Sequence, residues 1–69
     1  MPLSARNQLK GTVKSLKTGA VMAEVVIDAG GQELVAAITV DSVERLSLAE
    51  GKDVTAIIKA TDVLVGTDT

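Results

Sequence analysis

Hydrophobic residues along this chain recur mostly at every second position, in short runs punctuated by Gly and Asp. That is the period of half-buried β-strands rather than of helices. The first run spans Asn7 to Lys17. Leu9, Gly11 and Val13 fall on one face and Lys10, Thr12 and Lys14 on the other, and the alternation slips near Ser15-Leu16, where a bulge or bend is expected. Lys17-Thr18-Gly19-Ala20 reads as a turn. The second run, Val21 to Asp28, sets Val21, Ala23, Val25 and Ile27 against Met22, Glu24 and Val26. Ala29-Gly30-Gly31-Gln32 then predicts a tight hairpin, because glycine takes up the positive φ that such turns need.

The third run, Glu33 to Val40, carries Leu34, Ala36, Ile38 and Val40 on one face and Val35, Ala37 and Thr39 on the other. Both faces are largely apolar, the pattern of a strand covered on both sides. Asp41 to Leu46 predicts a helix of one or two turns, capped by Asp41 or Ser42, with Glu44 in the first turn suiting the helix dipole. After the turn Glu50-Gly51-Lys52-Asp53, a fourth run from Val54 to Ala60 places Val54, Ala56, Ile58 and Ala60 opposite Thr55, Ile57 and Lys59. A short fifth run, Asp62 to Val65, precedes the polar tail Gly66-Thr67-Asp68-Thr69. Five strands with one short helix between the third and fourth predict an all-β fold, a five-stranded OB-like Greek-key barrel. It is expected to occupy residues 1–69 as a single domain.

Composition adds a constraint on assembly. A chain of 69 residues buries too little of its surface to be comfortably stable alone. Without Cys it has no disulfide or thiolate metal site, without His it lacks the commonest transition-metal ligand, and without Phe, Tyr or Trp it lacks the largest core side chains. Yet 46% of its residues are hydrophobic, almost all Val, Ala, Leu and Ile. Much apolar surface with little bulk predicts that one subunit buries its faces against others.

Several functional classes are disfavoured on the same grounds. A net charge of −2 lacks the basic footprint of a general nucleic-acid binder, and missing aromatics remove the stacking platforms of single-strand binders. No apolar run approaches the roughly 20 residues of a membrane helix. Met1-Pro2-Leu3-Ser4 lacks the apolar core of a signal peptide, so the expected location is the cytoplasm. No Ser-His-Asp or Cys-His arrangement can be assembled, the carboxylates are scattered over turns and strand ends, and Gly30-Gly31 is followed by no Lys-Ser/Thr and no helix. The chain is not expected to be an enzyme.

What remains is a set of small polar and basic residues flanked by strands. Ser4-Ala5-Arg6-Asn7 opens the fold, Ile38-Thr39-Val40-Asp41-Ser42 joins a strand to the helix, and Ile58-Lys59-Ala60-Thr61 ends the fourth strand. They offer a guanidinium, an ammonium, hydroxyls and the N–H groups of a helix start, an inventory that suits a tetrahedral oxyanion. Each also has an ordinary structural reading: Arg6 and Lys59 as surface charges, Ser42 as a cap, Thr39 as a strand residue.

Three stretches, in this order and spacing, resemble the molbindins, single-domain molybdate-binding proteins with a Mop- or TOBE-like domain. They are Ser4-Ala5-Arg6-Asn7-Gln8-Leu9-Lys10-Gly11, Leu34-Val35-Ala36-Ala37-Ile38-Thr39-Val40-Asp41-Ser42 and Ala56-Ile57-Ile58-Lys59-Ala60-Thr61-Asp62-Val63. The resemblance runs from about Ser4 to Val65. It implies an OB-like barrel assembling into a homohexamer, a trimer of dimers, with molybdate or tungstate bound at subunit interfaces, without direct protein–metal bonds and without an organic cofactor. Carried over by motif, the site uses Ser4, Arg6, Thr39, Ser42, Lys59 and Ala60, the last through its backbone. A second class of site near a three-fold axis falls at the turn Gly19, Ala20 and Val21. The implied role is molybdenum storage, buffering or delivery, with no nucleic-acid or membrane partner. The absence of an added DNA-binding or ATPase domain favours the free binding protein. On the residues alone, two other readings stay open: an OB-like interaction module without catalysis, and a binder of another tetrahedral oxyanion such as sulfate.

Overall fold

The structure is a computed structural model that describes residues 4–68. Met1, Pro2, Leu3 and Thr69 lie outside the described residues, and with them the reading of the extreme N-terminus and of the last tail position.

Four strands form one antiparallel sheet: β1 Asn7–Thr18, β2 Met22–Ala29, β3 Gln32–Thr39 and β4 Asp53–Ile58, in the order β3-β2-β1-β4. A six-residue helix, α1 Val40–Arg45, follows β3 directly. The chain is thus mostly β with one short helix between β3 and β4. The expected fifth strand is not one. Residues Ala60–Asp62 form a single 3-10 turn, and the chain beyond it pairs with no strand among the described residues. The sheet therefore does not close into a five-stranded barrel. The apolar, valine-rich run Val63-Leu64-Val65 has strand propensity, but a strand also needs an edge to pair with.

β1 organises the sheet. Its first half pairs with β4, from Asn7↔Ile58 to Thr12↔Asp53, and its second half with β2, from Thr12↔Asp28 to Thr18↔Ala23. Thr12 is shared by both ladders. The register between β1 and β2 shifts between Val13 and Ser15, a residue or so before the expected slip, so Lys14 is the extra residue of a bulge. The bulge has a packing reason. Val13 and Leu16 both face inward, which strict alternation forbids at a spacing of three. Around it, the α1–β4 connection hydrogen-bonds back to β1: Val13 N–H donates to the Lys52 carbonyl at 2.9 Å and Gly51 N–H to the Val13 carbonyl at 2.8 Å. The β2–β3 hairpin turns on Gly30 and Gly31, at φ of 63° and 87°, the left-handed pair a two-residue turn between Ala29 and Gln32 requires.

The core is small and lies on one side of the sheet. Val13, Ala23, Val25, Ile27 and Val43 are buried, ringed by half-buried Leu34, Ala36, Ile38, Val54 and Ala56. The alternating faces read from the sequence for β2, β3 and β4 are the inward ones, except that Val21 sits in the β1–β2 turn and is 69% exposed, and that Ala60, read as the end of the fourth strand, is exposed in the 3-10 turn beyond it. The second face of β3 is left uncovered by the described residues: Val35 is 66% exposed.

Two measures place this chain outside the compact-monomer norm. Its radius of gyration is 12.9 Å, against about 11 Å for a compact chain of this length. It exposes 5486 Å², against roughly 4,100 Å² for a compact monomer of this mass.

Candidate functional site

The antiparallel pairing of Asn7 with Ile58 means that the chain entering β1 and the chain leaving β4 emerge side by side. That register brings Ser4 and Arg6 together with Lys59 and Ala60. A recess of about 460 Å³ is lined by these four residues and by Ala5, Asn7 and Thr61. The entering segment is folded back on itself by the Gln8 side chain, whose Nε2 donates to the Ala5 carbonyl at 3.0 Å. Arg6 and Lys59 are both exposed, so a guanidinium and an ammonium stand at the wall of one open hollow. Asn7 and Thr61 join it as further polar side chains. Both stand in the polar stretches read from the sequence but outside the six expected site residues, and it took the strand register to place them here.

Thr39 and Ser42 lie elsewhere. Thr39 pairs with Met22 at the start of β2, and the neighbouring Ala23 pairs with Thr18 at the far end of β1. From Asn7 to Thr18 is roughly 35 Å of strand path at the usual rise per residue. One chain thus carries two separate half-sets: Ser4, Arg6, Lys59 and Ala60 by the first residues of β1, and Thr39 and Ser42 toward the end where β1 stops.

The second half-set is tightly knit. Helix α1 begins at Val40, so its cap is Thr39 and not Asp41 or Ser42. Thr39 holds an extended φ,ψ of −74°, 152°, and its Oγ1 accepts from the Ser42 backbone N–H at 3.1 Å. The Thr39 hydroxyl in turn donates to Ser42 Oγ at 2.9 Å. Arg45, one turn on, donates from Nη2 to the same Ser42 Oγ at 3.2 Å. The expected N–H donors of the helix start are partly engaged within the chain, since the Val40 N–H also donates to the Val21 carbonyl at 2.8 Å. Arg45 was not among the expected site residues. The three-residue spacing Thr39, Ser42, Arg45 is the signal that could have found it, because residues three apart share a helix face.

The Val40–Val21 bond sets the turn Gly19, Ala20 and Val21 against this cluster. Gly19 N–H closes the turn on the Met22 carbonyl at 2.8 Å. Gly19 also lines a shallow recess with Lys17, Thr18, Met22, Ala23, Glu24 and Ala37, whereas Ala20 and Val21 are exposed beside it. Among the described residues, no three His, Cys, Asp or Glu side chains gather where they could hold a metal ion.

A TOBE-domain profile matches residues 3–65. The chain belongs to the TOBE-domain family. Its relatives are of the Mop type. Molybdenum-pterin-binding protein 1 of Clostridium pasteurianum is 53% identical over 66 residues, covering 94% of this chain and 97% of that protein. A molybdate-binding protein from Sporomusa ovata superposes with a TM-score of 0.93 at 52% identity, covering 97% of this chain and 100% of the other. ModG, described as a cytoplasmic molybdate-binding protein and solved with molybdate bound, superposes with a TM-score of 0.84 at 54% identity, over 87% of this chain and 43% of ModG. This TOBE domain therefore shares its fold with molybdate-binding proteins. Among its described residues no helix is long and apolar enough to cross a membrane.

Proposed function

We propose that this TOBE domain binds molybdate, or the near-isosteric tungstate, as a homo-oligomer whose ions sit between subunits, and that it stores, buffers or delivers molybdenum in the cytoplasm without catalysing a reaction. The observation that carries the reading is the separation of the two half-sets along β1. Ser4, Arg6, Lys59 and Ala60 converge on one recess while Thr39 and Ser42 gather near the other end of the strand. A six-residue site is completed when the recess of one copy meets the Thr39–Ser42 cluster of another.

The surplus of exposed surface favours such an assembly. Val63 is half exposed, and Leu64 and Val65 are 94% and 90% exposed. The open face of β3 presents Val35, and an apolar groove between β3 and β4 runs over Leu34, Ile38, Val54 and Ile57. A second copy would cover these surfaces and supply an edge for the unpaired Val63-Leu64-Val65, completing an OB-like barrel; a hexamer built as a trimer of dimers satisfies both needs. The turn Gly19, Ala20 and Val21 is the place of a second class of ion.

A free oxyanion fits the recess better than a pterin conjugate. Arg6 and Lys59 attract negative charge, and the hydroxyls of Ser4 and Thr61 donate directionally, whereas a chain without Phe, Tyr or Trp has no ring on which a pterin could stack. Binding to the assembly alone would also couple ligand to stability, by about 2.7 kcal/mol at a hundredfold excess over Kd.

Native mass spectrometry with molybdate, with sulfate and with neither tests the proposal. The expected result is a hexamer that retains several molybdate ions and no sulfate. A monomer, or an oligomer indifferent to molybdate, overturns it in favour of an interaction module. Retention of sulfate as readily as molybdate overturns the selectivity.

A further inference from the structure

We infer that Arg45 is a positioning residue for the oxyanion site, acting through Ser42 to fix the Ser42 hydroxyl as a hydrogen-bond donor; this rests on the binding function proposed above. A serine hydroxyl has two acceptor lone pairs and one proton. In this structure Ser42 Oγ accepts from the Thr39 hydroxyl at 2.9 Å and from Arg45 Nη2 at 3.2 Å. Chemistry fixes the direction of the Arg45 bond, and in the hydroxyl pair Thr39 stands as the donor. A guanidinium can only donate. Thr39 Oγ1 already accepts the Ser42 backbone N–H, at 3.1 Å, and gives its proton to Ser42. With Thr39 as the donor of that pair, both lone pairs of Ser42 are engaged, and its remaining capacity is its own O–H, directed away from its two partners.

An oxyanion offers acceptors and no protons, so a hydroxyl held in the donor state is matched to it before the ligand arrives. The guanidinium adds a second effect: a cation bonded to an oxygen polarises its O–H and strengthens it as a donor. Arg45 is free for this task. The ion pair found among the described residues joins Lys14 and Glu33, while the Arg45 bond is the one to Ser42. The arrangement is a line of three side chains, Thr39, Ser42 and Arg45, on one side of α1, while Val43 on the same helix is buried in the core. Without Arg45, Ser42 Oγ regains a vacant lone pair. Its proton is then free to turn toward water or the backbone, and the donor state is no longer enforced.

Calorimetric titration with sodium molybdate tests this in the assembled protein, using wild type, Arg45→Ala, Arg45→Lys, Ser42→Ala and the double variant Ser42→Ala/Arg45→Ala. Loss of a hydrogen bond to a charged ligand corresponds to a weakening of about tenfold or more, which is expected for Ser42→Ala. Arg45→Ala is expected to weaken binding about threefold to tenfold, and Arg45→Lys, which still donates, to recover most of it. In the Ser42→Ala background, removing Arg45 is expected to change affinity less than about twofold, because the group it positions is gone. An equal loss in both backgrounds overturns the inference, since it means that Arg45 acts on the ion or on the fold directly. Full affinity in Arg45→Ala overturns it as well, while leaving molybdate binding itself intact. No binding by the wild type overturns the oxyanion reading and the role of Arg45 together.

Discussion

Gly11 packs so closely on Asp28 that a Cβ at position 11 would stand 2.3 Å from the Asp28 carbonyl oxygen. The obstacle is backbone, held in the β1–β2 ladder by the pairing of Thr12 with Asp28, so it cannot swing aside as a flexible side chain would. Gly11→Ala must displace the strand at the point where β1 changes partners. A destabilisation of about 1–3 kcal/mol is expected, read as a lower urea midpoint. A midpoint equal to wild type would show that the two strands separate freely there.

The cap of α1 gives a second expectation. Thr39→Val keeps the shape and β-branching of the side chain and removes the acceptor for the Ser42 N–H. The loss is expected near 1 kcal/mol in thermal melts without ligand. Ser42→Ala, which leaves the capping bond in place, is expected to destabilise less.

The recess makes a prediction about charge. Arg6→Ala and Lys59→Ala each remove a cation from one hollow while leaving the described core untouched. Each is expected to weaken molybdate binding by about 1.5–3 kcal/mol, and the double variant to abolish it in calorimetry. Binding that survives the double change would place the ion elsewhere.

Assembly can be probed at the most exposed apolar side chain. Leu64→Asp puts a charge where a second copy is proposed to bury about 1.5–3 kcal/mol of leucine surface per chain. The expected outcome is a shift toward smaller species in native mass spectrometry. An unchanged hexamer would exclude this segment from the interface.

Lys14 forms an ion pair with Glu33, and its pKa is raised above the ordinary 10.5, first by the hydrogen bond its ammonium donates to the Glu33 carboxylate and then by that carboxylate's charge. A group whose pKa is higher in the folded than in the unfolded state contributes stability that is fully present below the unfolded value and lost as pH climbs through the folded one. The stability difference between wild type and Glu33→Gln is therefore expected to be constant through neutral pH and to vanish in the alkaline range above about 10.5. Because both side chains are exposed, high salt is expected to shrink it at every pH. Chemical denaturation across pH, at low and high salt, measures both effects.

The sequence alone determined the elements and their faces. Period-two alternation put Ala23, Val25 and Ile27 on one face, which is the buried one, the Gly30-Gly31 pair announced its hairpin, and the slip near Ser15-Leu16 announced the bulge that falls just before it, because each of these is set by local geometry within a few residues. The set of polar stretches was legible too, since residue identity carries the chemistry an oxyanion needs. Tertiary structure decided what these pieces do together. Val63-Leu64-Val65 has the composition of a strand but pairs with none among the described residues, because a strand exists only where another edge accepts its hydrogen bonds. Likewise, Ser4 and Lys59 are 55 positions apart in the numbering yet share one recess through the Asn7–Ile58 register, while Thr39 and Ser42 sit toward the other end of β1. Proximity between distant segments is a property of strand register, which no local pattern encodes, and here it divides the six proposed site residues into two half-sets within one chain.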